Sequence, residues 1–461
     1  MQDATPTAAN ATQRLGAFVA RCARDPMPAP VAEKAAICLL DALGLAIAAR
    51  NERTAVAMRA VASRVASTEN AARIWVDGAR VALSDAVLAN GVAVHAHFQD
   101  DTDHNSWSHP GSLIVPVAVG AAESRDAPLE VVLRAIVAGY TAIEWLSGDE
   151  TVARALISRG IRASPTFGTI GAAAAASVTL GLDAAKATNA VGIASSITGG
   201  VLEPVGSGSD EWRLQNGHAG RGGLAAAQLA QQGVLGAPNG LEGPKGFLRS
   251  LAGLQETPAR WRRDPDVNIM LSIMAKPWAT LGDNMPVVAA AKLVRDSGIS
   301  VDKIKRISVT MWRPYVEYPG TSFKGPFERT VQTQASSAFA ASAMLALGEL
   351  TYDVAVNRRT DKDILRLVEV AEIRPHDGDA LDATVEVELS DGTSVRREAS
   401  QSPRGLIFQD RKQASSVFEG RLAESGFPAA SARALADKVL DAGKASSLGI
   451  RAVLDALPQH K

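Results

Sequence analysis

Four of the chain's seven histidines and three of its aspartates crowd into fifteen residues: His95, His97, Asp100, Asp101, Asp103, His104 and His109. Imidazoles and carboxylates at this density can be tuned to move protons near neutral pH, which makes the segment an acid/base site. Two other readings stay open on the residues alone. One is a divalent-metal site, although His95 and His97 are two apart and so do not share a helix face. The other is a solvated loop whose aspartates cap helices.

Three further clusters each hold an arginine or a lysine. In Arg159–Gly168, Ser164 or Thr166 ahead of a small-residue helix can cap it, and the free N–H groups with Arg162 would make an anion site. Alternatively, Arg162 is an ordinary surface charge. The run 206–220 holds Trp212 and Arg213 and has neither a preceding strand nor a Gly-Lys-Ser, so it is no phosphate or dinucleotide loop. Standing alone it reads as a flexible loop. Lys276, in Met274-Ala-Lys-Pro-Trp278, falls where the sequence pattern changes, a good place for a lysine that binds carboxylates across a cleft.

The elements that must position these groups are mainly helical. Apolar residues at three- and four-residue spacing predict helices at 31–50, 84–94, 129–146, 168–180, 183–197 and 219–232, with no convincing strand among them. After Lys276 the pattern shifts. Alternation predicts strands at 301–312, 384–389 and 394–398, the last two joined by Ser390-Asp391-Gly392-Thr393 as a hairpin. Helices at 332–348 and 361–370 lie between. The chain returns to helix after Arg404-Gly405, at 414–424, 431–440 and 446–457. The expected architecture is one large all-helical domain made of residues 1–272 and 408–461, with a smaller α+β lid inserted at 273–407. A small-molecule site belongs in the cleft between them.

Composition excludes several classes. The chain of 461 residues has 48 basic and 49 acidic residues and so lacks the positive footprint of a nucleic-acid binder. No segment reaches the ~18 consecutive apolar residues of a membrane span. The first residues show no charged region followed by an apolar core, so no secretory signal is read there. Cys22 and Cys38 make neither a disulfide framework nor a zinc set, which fits a reducing cytoplasm, and Cys38 reads as a small buried hydrophobe.

Six stretches in order carry a resemblance: CLLDALGLAIAA at 38–49, HAHFQDDTD with SHPGSLIVPVAVGAAE at 95–123, GYTAIEWL at 139–146, RGIRASPTFGTIGAAAAAS at 159–177, NGHAGRGGLAAAQLAQQGVLGAPNGLEGPKGF at 216–247 and KPWATLGDN at 276–284. On these, the chain resembles the MmgE/PrpD family over nearly its whole length. That family includes 2-methylcitrate dehydratase, cis-aconitate decarboxylase and iminodisuccinate epimerase. The resemblance implies a homodimer with a helical domain and a lid, acting on small polycarboxylates without an obligatory redox or organic cofactor, and neither a cofactor nor a metal is expected.

Carried over by position, the histidine of the family's His-Pro-Ser element is His109, the lysine of Lys-Pro-Tyr-Pro is Lys276, and the tyrosine of Gly-Tyr is Tyr140. Four positions depart. The acidic motif appears as His97-Phe98-Gln99-Asp100-Asp101 without its first aspartate. A family histidine falls at Arg162, a lysine at Trp212 beside Arg213, and a tyrosine at Phe339. The expected catalytic set is therefore His109, Asp100, Asp101, His104 and Tyr140. The expected carboxylate-binding set is Lys276, Arg162, Arg213, His97 and Thr166. Proton abstraction next to a carboxylate is the expected chemistry. A lyase of the 2-methylcitrate dehydratase type leads, with an epimerase and a non-catalytic carboxylate-binding paralogue as alternatives.

Overall fold

Small and apolar residues at helical spacing turn the first half of the chain into packed helices, seen in a computed structural model that describes residues 9–67, 69, 71–402, 410–441 and 448–457. They are α1 (Ala11–Cys22), α2 (Ala29–Ala48), α3 (Arg53–Ala62), α4 (Leu83–His95), α5 (Pro110–Ser124) and α6 (Leu129–Leu146). Then follow α7 (Thr151–Ser158), α8 (Ala163–Leu180), α9 (Ala184–Ile197), α10 (Glu203–Ser207), α11 (Trp212–Gln231) and α12 (Phe247–Ser250). A short antiparallel ribbon, β1 (Ala71–Arg73) with β2 (Arg80–Ala82), interrupts them. The all-helical expectation missed it because three residues are too few to show alternation.

α8 is the hub of this part and lies against α5, α6, α9 and α11. Its backbone contacts depend on missing side chains. A Cβ on Gly223 of α11 would stand 2.4 Å from the Thr169 carbonyl oxygen of α8, and one on Gly168 would stand 2.3 Å from Leu113 of α5.

The second part builds its own core. It comprises α13 (Met285–Asp296), β3 (Ile304–Trp312), α14 (Arg313–Glu317), α15 (Thr330–Ala335), α16 (Ser337–Leu347), α17 (Tyr352–Asn357) and α18 (Lys362–Val370). β4 (Ala371–His376), β5 (Ala383–Leu389) and β6 (Ser394–Glu398) complete a sheet in the order β4-β3-β5-β6. β3 runs parallel to β4 and antiparallel to β5, and β5 and β6 form the expected hairpin. Ile307, Val309 and Met311 bury one face of β3 with Val385 and Val387. A register shift between Ile304 and Arg306 turns Ile304 inward as well.

After the α+β part, α19 (Arg411–Glu424), α20 (Ala429–Leu440) and α21 (Ile450–Leu454) rejoin the helical core, α19 and α20 lying on α2. The return at Arg404-Gly405, the expected boundary at 407 and the expected helix start at 446 lie outside the described residues. No helix among the described residues is long and apolar enough to cross a membrane.

Candidate active site

The acid/base segment is the connection between α4 and α5. α4 ends at His95, and Phe98 then takes a left-handed backbone (φ 57°), turning the chain so that Asp100 comes back to the His95 ring. Asp100 Oδ2 accepts from His95 Nδ1 at 2.8 Å, and Arg162 donates from Nη2 to His95 Nε2 at 2.9 Å. Arg162, immediately before α8, also donates through Nη1 to the Trp212 carbonyl oxygen (2.6 Å) and to Gln215 Oε1 (2.9 Å). With one ring nitrogen donating and the other accepting, His95 is held as a neutral imidazole of a single tautomer. Burial, only partly opposed by Asp100, agrees with this and pushes its pKa down to about 4.

His109 sits directly before α5, its ring 5.0 Å from that of His95. Its Nδ1 lies 3.3 Å from the Asp101 carbonyl oxygen and 3.5 Å from Lys276 Nζ. Burial and the Lys276 charge hold it well below the usual imidazole range. Lys276 is fully buried. It donates to the Phe98 carbonyl oxygen at 2.7 Å, and Asp100 Oδ1 stands 4.0 Å away. Burial outweighs the neighbouring carboxylates and lowers its ammonium to about 8. For Asp100 burial is overcome by His95, His109 and Lys276, which hold the carboxyl well below its ordinary value.

Asp101 supports this group without facing it. Tyr140 of α6 donates to its Oδ2 at 2.7 Å and the Gly111 N–H to its Oδ1 at 2.6 Å. It thereby satisfies an N–H at the start of α5 and holds His109 in place. Burial and the Asp41 charge push Asp101 up to about 7, while burial and Asp101 push Tyr140 well above its usual value.

The structure thus gathers His109, Asp100, Lys276 and Arg162 around His95, with Asp101 and Tyr140 behind. Other expected residues fall elsewhere. His104 belongs to the turn closed by Asp103 and Ser108, whose Asn105 donates to Glu144 of α6. His104 Nδ1 has no partner among the described residues. Thr166 lies inside α8 and donates to the Arg162 carbonyl oxygen at 2.7 Å. The capped anion site expected there is absent from the described residues, because α8 starts five residues earlier than expected and takes Ser164 and Thr166 into its first turns. Ser164 instead accepts from the His109 N–H at 3.1 Å.

His97 and Arg213 line a separate cleft of about 600 Å³ between α2–α3 and α15–α17, which His95, Asp100, His109 and Lys276 do not line. There His97 stacks on Tyr352 with ring centroids 3.7 Å apart. The run expected to be a flexible loop is mostly helix: α10 ends in it at Ser207, α11 begins at Trp212, and Arg213 Nε donates to the Ala96 carbonyl oxygen at 2.9 Å. Among the described residues no group of three His, Cys, Asp or Glu side chains converges as a metal ion requires.

His95, Phe98 and Trp212 were not among the expected site residues. The Phe98 and Trp212 rings, 4.5 Å apart, cover the imidazoles, and Lys276 Nζ lies 4.7 Å over the Phe98 ring. They form one apolar cluster with Leu202, Leu281 and Tyr318. The five-residue step from His95 to Asp100 was a usable signal. Nothing in the sequence announced the two covering aromatics.

A buried carboxylate–imidazole pair flanked by an ammonium and a guanidinium, on a helix-to-helix connection, is an arrangement able to exchange protons and to hold negative charge. Residues 13–259 match the MmgE/PrpD N-terminal domain, and the chain belongs to the MmgE/PrpD family. It is similar to a cis-aconitate decarboxylase-like protein, oryM, of Aspergillus oryzae, 27% identical over 475 residues that span 90% of this chain and 93% of the relative. It is also similar to the human cis-aconitate decarboxylase, 27% identical over 332 residues covering 67% and 66% of the two chains.

Proposed function

We propose that the protein is a lyase that removes CO2 from a small, unsaturated polycarboxylate. The observation that carries this reading is the convergence of Lys276, Arg162, His109 and Asp100 in one buried cluster. Lys276 has one close hydrogen bond, and Arg162 spends three of its five N–H groups on fixed partners, so both keep donors for substrate carboxylates.

Loss of CO2 breaks a C–C bond and leaves its electron pair on the substrate, delocalised toward a neighbouring carboxylate. Cations fixed beside that carboxylate stabilise the charge as it forms. The step asks for no strong base, which suits imidazoles made weakly basic by burial. Dehydration and epimerisation both begin by taking a carbon-bound proton and would use these groups less well. The names of the relatives point the same way.

The test is incubation with cis-aconitate and with citrate-like and aspartate-derived acids in heavy water, followed by NMR. CO2 release with one deuterium gained is the expected outcome. Water loss or gain would replace the reading by a dehydratase, and exchange without net product by an epimerase. Saturable binding with no change would leave a non-catalytic carboxylate binder. We also read the protein as a homodimer, since Ile197, Val201, Leu229 and Leu235 expose apolar surface that a second copy would cover. Light scattering giving a single-chain mass would refute that.

A further inference from the structure

Asp283 stands in the short turn Gly282–Asn284, seven residues after Lys276. It is 6% exposed, and its Oδ2 has no hydrogen-bond partner among the described residues. A carboxyl oxygen taken from water and left unpaired is costly, and such atoms in a native fold call for an explanation.

The surroundings of this turn supply one. Gly282 packs against Thr102, where an added Cβ would stand 2.7 Å from Cγ2, so the turn touches the catalytic connection one residue beyond Asp101. Leu281 belongs to the apolar cluster of Phe98, Trp212 and Tyr318 that covers the imidazoles. Its N–H donates to the Gln334 carbonyl oxygen at 3.0 Å, and Gln334 Oε1 is a second buried atom without a partner among the described residues. The charged and titratable groups that act on Asp283 are Lys276, Tyr315 and Tyr318. Burial pushes its carboxyl up to about 7 against the pull of Lys276, so much of it is protonated at neutral pH. The imidazoles His95 and His109 carry no proton to spare at that pH, and a decarboxylated carbanion needs one.

We propose that Asp283 is the proton donor of this site. As CO2 leaves, the carboxyl O–H bond of Asp283 breaks and a C–H bond forms at the carbon that holds the electron pair. The resulting carboxylate regains its proton from water. This assignment rests on the lyase reading above.

Three measurements test it. In the wild-type protein, kcat should fall as pH rises through about 7, following loss of the Asp283 proton; a flat kcat from pH 6 to 9 overturns the assignment without any variant. Asp283→Asn should lower kcat about 10²- to 10⁴-fold, the usual worth of a positioned acid, with KM within about threefold and the limb near pH 7 gone. Asp283→Glu should recover part of kcat. Near-normal turnover in Asp283→Asn with an unchanged pH profile removes Asp283 from the chemistry and leaves the lyase reading intact. Absence of both CO2 release and proton exchange in the wild type overturns both.

Discussion

At the scale of single residues, burial decides the protonation states. Lys276 reaches the site fully enclosed, and its ammonium is lowered to about 8. Under the proposed reading it must be charged to hold a carboxylate, so KM should rise as pH climbs above about 8. Lys276→Gln should raise KM at pH 7 by about ten- to a hundredfold, the worth of one charge-assisted hydrogen bond, and should abolish that pH dependence. Steady-state kinetics over pH 6–9.5 checks both. His109→Gln should lower kcat while leaving KM nearly unchanged, and near-normal turnover would take His109 out of the reaction. His97 gives a stability prediction with a defined sign. Burial, helped by Arg213 and Arg421, lowers it from 6.5 to about 3, so the unfolded chain binds a proton that the folded chain refuses. Its contribution is intact above pH 6.5 and is lost as pH falls toward 3, by about 1.4 kcal/mol per unit. In His97→Gln the fall of melting temperature between pH 6.5 and 4 should be shallower. Part of this set was legible in the sequence: His109 and Lys276 sit in short distinctive stretches, and Asp100 lies in the densest polar run. Asp283 was not, because its significance depends on what surrounds it rather than on its neighbours in the chain.

At the scale of elements, helix starts and close approaches are what the sequence hid. α6 lies at the expected 129–146, since its apolar spacing is continuous and Pro128 marks its start. α11 was expected to begin at 219 but starts at Trp212, because the preceding glycines, serines and Asp210 look like a loop. That difference places Arg213 against the Ala96 carbonyl rather than in solvent. The connection from α4 to α5 is fixed at its far end by Trp107, which stacks on Trp312 at 5.9 Å with Arg154 over both rings. Trp107→Ala should therefore reduce kcat by loosening the segment that carries Asp100 and His109, even though Trp107 touches neither. An unchanged kcat would show that the connection holds itself. Gly223→Ala should cost about 1–3 kcal/mol, since its methyl would meet the α8 backbone. Denaturant unfolding measures it.

At the scale of the molecule, two cores were legible from the change of periodicity near Lys276, because helical and alternating patterns differ over many residues. The tie between distant segments was not. Arg421 of α19 pairs with Asp41 of α2 through Nη1, and its Nη2 donates to the Lys276 carbonyl oxygen at 2.9 Å. Arg421→Met leaves Asp41 buried and unpaired and should cost about 3–5 kcal/mol. Adding Asp41→Leu should recover much of that stability by removing the stranded charge, yet turnover should stay depressed because the Lys276 carbonyl has lost its Arg421 donor. Recovery of both together would mean that the anchor is irrelevant.

This brace also dictates an order of events during synthesis. A ribosome delivers Lys276 about 145 residues before Arg421, with the whole sheet-bearing segment emerging between them. While translation proceeds, the nascent chain holds its lysine on an unfinished wall, and Asp41 lacks its Arg421 partner. Under the proposed reading, competence to bind a polyanion follows the docking of α19, which ties the birth of the active centre to a segment made long after the lysine itself.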